Sequence, residues 1–287
     1  MEHLVYINGD IVSRDRASIS VLDRGLLYGY GLYETMRSYH GHVFCLDRHL
    51  TRLVSSAGLL GIRDALEPQK LETGVLRTLK ANGLDDARIR LTVTAGEGSR
   101  GLTLPSSGNV NIIITIEKLV LPSNEVYIKG LRTSIVNIRR NSRSPLCRIK
   151  ALGYLENLLA HAEASDAESD EAILLNDEGY VAECSASNIF IIELGRIITP
   201  PIDAGILPGI TRGIVIELAA DKTIELIQEN ISVERLLSAD EAFITNSIIE
   251  IMPITSINRR QVGSGSRGKI TERLMEGYKV LTRSFLR

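Results

Sequence analysis

The residues with the most chemical capacity stand in three stretches, RIKALGYLENLLAHAEA, DEAILLNDEGYVAECSASNIFII and TPPIDAGILPGITR. In the first, Lys150 sits between Ile149 and Ala151-Leu152, just ahead of a helical pattern. Apolar neighbours strip water from an ammonium group, lower its pKa and make the neutral amine a nucleophile. The same position also suits a lysine whose stem lies along apolar surface while its charge stays in water. Glu183 follows 33 residues later at the end of a strand pattern, flanked by Val181 and Ala182. A carboxylate in that company requires a cationic partner. A protein cation meets the need as a structural ion pair; a protonated pyridine nitrogen meets it as part of a ring that then withdraws electrons. Pro208-Gly209-Ile210-Thr211 opens a helix, where backbone N–H groups converge on an anion, although Thr211 serves equally as a plain N-cap. The turn at Asn246-Ser247 offers further donors, and Arg52 in LDRHLTRL offers positive charge or simply lies on a polar helix face.

The rest of the composition narrows the setting. A chain of 287 residues, 44% of them hydrophobic, has enough apolar material for one large core or two smaller ones. Its 33 basic and 35 acidic residues leave a net charge of −2 without a basic block, so no nucleic-acid partner is expected. Cys45, Cys147 and Cys184 are far apart and lack CxxC spacing, as expected of a reduced, cytoplasmic protein. The opening MEHLVYINGD shows no basic segment followed by a long apolar one, and no apolar run is long enough for a membrane span. Neither a signal peptide nor a membrane partner is expected. His40 and His42 flank a glycine with no third ligand nearby, which argues against a metal site.

Rigid elements must position these groups. Leu4–Ile7 reads as a strand, followed by the hairpin signal Asn8-Gly9 and a second short strand from Asp10. Leu46, Leu50, Leu53, Val54 and Ala57 recur at helical spacing and predict a helix over 47–60. A second helix carries Leu71, Val75, Leu76 and Leu79 on one face and stops at Asn82-Gly83. Strands are expected at 88–95 and 110–117, joined by the Gly/Ser/Pro-rich loop GEGSRGLTLPSSGN. A boundary falls near Leu121-Pro122-Ser123-Asn124. Beyond it the patterns predict strands around Tyr127 and Val136, then a helix with Leu152, Leu155, Leu158, Leu159 and Ala162 on one side. Short strands are expected at 171–175, 180–183, 188–192 and 196–198, a helix over 211–220 and a strand over 241–245. The organisation is α+β in two domains, 1–120 and 126–287, joined by a linker at 121–125, with the active site expected in the cleft between them.

In their order and spacing these stretches resemble the class IV (fold-type IV) pyridoxal-phosphate enzymes. That family includes branched-chain aminotransferases, D-amino-acid aminotransferases and aminodeoxychorismate lyases. The likeness covers nearly the whole chain, from VYINGD through DRGLLYGYGLYETMRSY to ADEAFITNSIIEIMPI. It implies a D-amino-acid aminotransferase-like fold and pyridoxal 5'-phosphate as cofactor, with Lys150 as the Schiff-base lysine that then serves as general base and acid. It places Glu183 opposite the pyridine nitrogen and Leu207 on one face of the ring. Arg52, Gly209, Ile210, Thr211, Ser247 and Ile248 match positions that hold the phosphate by side chain or backbone amide. Tyr154 matches a tyrosine near the cofactor's phenolic oxygen, four residues after the lysine where some branched-chain enzymes have five. Tyr28, Tyr33 and Arg37 occupy the substrate-side segment, and the resemblance implies a homodimer with Tyr28 reaching across its interface.

Three places lean towards a lyase. Thr35, in LYETMRS, matches a threonine of aminodeoxychorismate lyases where branched-chain enzymes carry glycine. GEGSRGL resembles the lyase loop whose arginine, here Arg100, binds a substrate carboxylate, and TNSIIEIMP resembles the lyases more than the branched-chain enzymes. Against this, Arg100 also matches a carboxylate-binding arginine of D-amino-acid aminotransferases, although Leu102 replaces the histidine beside it. Arg90, in RIRL, matches an arginine of branched-chain enzymes, although the neighbouring tyrosine has become Arg88. Most of the family are transaminases, so the chain reads as an amino-acid aminotransferase of branched-chain or D-amino-acid type that uses a 2-oxo acid as acceptor. The alternative is 4-amino-4-deoxychorismate lyase, with an aminodeoxychorismate-like substrate. A catalytically silent relative is a distant third, which loss of the lysine or the ring-facing glutamate would favour; both are present.

Overall fold

The computed structural model describes residues 3–98, 101 and 110–285. The chain divides into two compact units, one of Met1–Val120, Ile149–Gly153 and Phe285–Arg287, the other of Leu121–Arg148 and Tyr154–Ser284.

In the first unit β1 (Leu4–Ile7) and β2 (Asp10–Ser13) form the hairpin signalled by Asn8-Gly9, both turn residues lying at positive φ (51° and 112°). There follow α1 (Arg24–Tyr28), β3 (Gly31–Tyr39), β4 (His42–Val43), α2 (Leu46–Leu59), α3 (Pro68–Asn82), β5 (Ala87–Thr94) and β6 (Asn111–Lys118). The strands build one antiparallel sheet in the order β2-β1-β6-β5-β3-β4. Strand alternation decides its two faces. Leu32 and Met36 of β3, Ile89, Leu91 and Val93 of β5, and Ile114 and Ile116 of β6 share a core with Leu50 and Leu53 of α2 and Leu71, Val75 and Leu79 of α3. Tyr33, Thr35 and Arg37 of β3 and Arg88, Arg90 and Thr92 of β5 alternate onto the other face. Both helices agree with their apolar spacing, and α3 ends on Gly83 in the left-handed region, except that Leu76 stays largely exposed.

The second unit contains α4 (Asn124–Lys129), β7 (Leu131–Arg140), α5 (Leu155–Asp166), β8 (Glu171–Asn176), β9 (Val181–Cys184), β10 (Asn188–Glu193), β11 (Arg196–Thr199), α6 (Ile210–Asp221), β12 (Leu226–Gln228), α7 (Val233–Ser238), β13 (Glu241–Asn246), β14 (Glu250–Ile257), β15 (Arg260–Gln261) and α8 (Lys269–Ser284). Its strands run in the order β12-β11-β10-β13-β14-β7-β8-β9, with β15 paired to β14.

One expectation fails here. Tyr127, read as part of a strand, lies in α4. The local signals outweigh its β propensity: Ser123 precedes the first turn, Glu125 and Lys129 pair at 2.6 Å one turn apart, and Gly130 at φ 72° ends the helix. The leucines expected on one side of α5 lie on its exposed face, with Leu155, Leu158 and Leu159 at 66%, 60% and 53% exposure. The face that packs on the sheet carries Asn157, Ala160 and Ala164, small side chains that let the helix sit close to Val136, Ala172 and Leu174.

Candidate active site

Lys150 is held by backbone before its side chain is considered. Its carbonyl accepts from Tyr33 N–H at 2.9 Å, Leu152 N–H donates to Gly31 O at 3.0 Å, and Ala151 pairs with Leu32, so the segment docks along β3. The approach is close enough that a β-carbon on Gly31 would meet Leu152 Cδ1 at 2.6 Å. The half-buried Lys150 Nζ stands 4.5 Å from the centre of the Tyr33 ring, and Arg90 Cζ lies 3.8 Å from the same centre. Thr35 sits directly opposite Arg90 in the β3–β5 register, and Arg37 stacks over Tyr39 at 4.3 Å. Lys150, Tyr33, Thr35, Arg37 and Arg90 therefore belong to one polar sheet face. Tyr28 ends α1 and is half exposed, and Arg100 lies outside the described residues.

Arg52 lies on α2, where it is neither solvated nor isolated. Its Nε and Nη2 donate to the buried Glu34 at 2.8 and 2.6 Å, and His49 Nδ1 lies 2.7 Å from the same carboxylate. Burial alone would raise the Glu34 pKa, but Arg52 and the His49 hydrogen bond outweigh it and bring the carboxyl from 4.5 to about 2. A carboxyl depressed by folding stabilises the fold fully above its ordinary pKa. This contribution fades only as pH falls from about 4.5 towards 2.

In the second unit Glu183 is buried on β9, and the cation that its burial demands is Arg140 of β7. Arg140 Nε donates to Oε1 at 3.2 Å, Nη2 donates more closely to the same oxygen, and Nη1 reaches Glu156 at 3.0 Å. Oε2 accepts from Leu207 N–H at 3.0 Å and Asn188 Nδ2 at 3.4 Å. Burial opposes the charge on Arg140, and the ion pair with Glu183 overrides it, raising the guanidinium pKa. Tyr154 OH donates to Ser185 O at 2.6 Å, beside Asn157 Nδ2 at 2.7 Å from that oxygen; Ser185 Oγ in turn donates to Glu171.

Gly209 stands at the N-cap of α6 and has no side chain to cap the first turn that Ile210 and Thr211 begin. A β-carbon there would meet Asn188 Oδ1 at 2.0 Å, so only glycine fits without displacement. The turn after β13 is fixed by Asn246, whose Oδ1 accepts from the Ile248 and Ile249 amides at 2.9 Å each, next to a half-buried Ser247.

These residues fit a phosphorylated aldehyde. The uncapped start of α6 offers amide donors to an anion. Thr245, the cross-strand neighbour of Asn188, is 1% exposed, and its Oγ1 has no hydrogen-bond partner among the described residues. A buried hydroxyl left in that state is costly unless something occupies its open side. Glu34, His49, Arg140, Glu171 and Ser185 escaped the sequence reading. The available signal was the placing of Glu34 at a core-facing position between Leu32 and Met36.

Lys150 offers an amine in the first unit and the start of α6 offers backbone amides in the second, groups that a phosphorylated aldehyde would engage. Comparison with known proteins gives the family. The model for class IV amino-transferases matches residues 31–257. A Methanocaldococcus jannaschii protein, provisionally named as a branched-chain-amino-acid aminotransferase, is 41% identical over 96% of this chain and 95% of its own. The aminodeoxychorismate lyase of Bacillus subtilis is 35% identical over 96% and 94%. A solved branched-chain amino acid aminotransferase of T.th., with pyridoxamine 5'-phosphate, superposes with a TM-score of 0.92 at 30% identity, covering 98% of this chain and 94% of that one. The chain belongs to the class IV aminotransferase family. It is a pyridoxal-phosphate-dependent enzyme of fold-type IV, a transaminase or the closely related lyase.

Among the described residues no helix is long and apolar enough to cross a membrane, and no group of three or more His, Cys, Asp or Glu side chains is placed to hold a metal.

Proposed function

We propose that the protein is an amino-acid aminotransferase of branched-chain or D-amino-acid type, working through Lys150. When bound, pyridoxal 5'-phosphate supplies an aldehyde for amine exchange and a ring that takes up negative charge. Lys150 would hold the aldehyde through its side-chain amine, and that amine would serve as general base and acid at the substrate α-carbon. Glu183, oriented by Arg140 and the Leu207 amide, would accept the hydrogen bond of the ring nitrogen and keep the ring electron-withdrawing. Leu207 would pack on the ring and Tyr154 would serve its phenolic oxygen. Arg52, Gly209, Ile210, Thr211, Ser247 and Ile248 would hold the phosphate. Tyr28, Tyr33, Thr35, Arg37, Arg90 and Arg100 receive the substrate, their arginines suiting the carboxylates of amino and 2-oxo acids. The observation that carries this reading is the docking of Lys150 on β3, with Nζ 4.5 Å from the centre of a Tyr33 ring that Arg90 also meets.

The likeness to the Bacillus subtilis lyase supports a second reading, elimination of pyruvate from 4-amino-4-deoxychorismate to give 4-aminobenzoate. A half-reaction screen separates the two. The aminotransferase converts its bound aldehyde to the amino form when given one amino acid, and returns it when given a 2-oxo acid. A protein that never forms the amino form, yet releases pyruvate and 4-aminobenzoate, is the lyase.

We also propose a cytoplasmic homodimer. Val21, Leu22, Leu26, Leu27 and Tyr28 form an exposed apolar run, with Val21 at 74% and Leu26 at 65%, of the kind that a second subunit covers. Light scattering should give twice the chain mass for the wild type and a shift towards the monomer for Leu26→Glu. A wild type that is monomeric at micromolar concentration rules the dimer out.

A further inference from the structure

Glu34 is wholly buried, at 0% exposure, yet carries a charge. Its two oxygens take Nε and Nη2 of Arg52 side by side, and the second also accepts from His49 Nδ1–H. This fork-to-fork pairing fixes the plane of a guanidinium as well as its place. His49 and Arg52 lie one turn apart on α2, so Glu34 clamps that helix face to β3. A buried ionic cluster rarely adds stability over apolar side chains of equal volume, so this one has to be accounted for by what it orients. The preceding residue, Tyr33, alternates to the opposite face, where its N–H holds the Lys150 carbonyl and its ring meets Nζ. Consecutive residues of one strand thus set Lys150 and Arg52. On the proposed function, these serve the aldehyde end and the phosphate end of one cofactor.

We propose that Glu34 is a positioning residue, acting through Arg52 to hold the guanidinium for the cofactor's phosphate, with His49 keeping the carboxylate in place. This rests on the assignment of Arg52 to the phosphate. The test titrates apoprotein with pyridoxal 5'-phosphate and with pyridoxal, which lacks the phosphate, following the absorbance of the lysine-bound aldehyde. Glu34→Gln keeps the shape and removes the charge. Its affinity for pyridoxal 5'-phosphate should fall about tenfold or more while its affinity for pyridoxal matches the wild type. Equal weakening towards both aldehydes would make Glu34 merely structural and overturn the inference, and so would an unchanged preference. If Glu34→Gln does not fold, Glu34→Asp, whose shorter side chain cannot span both Arg52 nitrogens, must itself lose preference for the phosphorylated aldehyde relative to the wild type, and no loss overturns the inference. Arg52→Ala separates the layers. If it retains the preference for the phosphorylated aldehyde, the phosphate assignment itself fails. If it erases the preference while Glu34→Gln keeps it, only the role of Glu34 fails.

Discussion

Lys150→Ala should give a folded protein whose turnover has fallen by at least ~10³-fold, because one substitution removes both the nucleophile and the proton carrier. Folding should survive because the segment is anchored by its backbone. The Tyr33 N–H to Lys150 carbonyl bond and the Leu152 to Gly31 bond do not involve the side chain. The contact of the side chain with the Tyr33 ring is half-exposed and contributes on the order of 0.5–1 kcal/mol. Borohydride supplies the sharper readout. In the wild type it should fix the mass of the reduced cofactor on the peptide containing Lys150; in Lys150→Ala the cofactor should dialyse away after the same treatment. Labelling of a different lysine, or normal turnover in the variant, would disprove the assignment.

Lys150 is singled out in the sequence by an ordered set of neighbours, from Tyr154 to Thr211, and not by its own surroundings. Helices α2 and α3 were readable for another reason: their apolar period has only one core to face. Other features depend on partners that spacing does not reveal. Glu183 and Arg140 are 43 residues apart and meet only once β7, β8 and β9 pair, so the sequence showed the need for a cation without showing which one. The apolar stripe on α5 was legible, but not which side of the helix packs on the sheet. Periodicity shows that a face exists, and the small residues Ala160 and Ala164 decided which one packs. Tyr127 shows the reverse weighting, local helix signals prevailing over a residue's strand preference. Glu34 was within reach, since a carboxylate between Leu32 and Met36 on a core-facing row must find partners, and His49 and Arg52 lie one turn apart on the helix above it.

The second large effect is expected at Glu183, where two consequences of one substitution have to be separated. Glu183→Gln should slow the half-reaction by about 10²-fold or more, since an amide holds a protonated ring nitrogen far less well than a carboxylate does. The same change strands Arg140, leaving it only the half-exposed Glu156 at 3.0 Å. Losing one member of a buried ion pair costs about 3–5 kcal/mol, and the remaining contact places this case near the lower end. A slow variant could therefore be slow because it is loose. Arg140→Met/Glu183→Met removes both charges, so no buried cation is left unpaired, and it should recover most of the stability in denaturant titrations. If Glu183 acts on the ring, the double variant recovers stability but none of the rate. Recovery of the rate along with the stability would make the carboxylate a structural partner of Arg140, and an unchanged half-reaction in Glu183→Gln would remove it from the chemistry altogether.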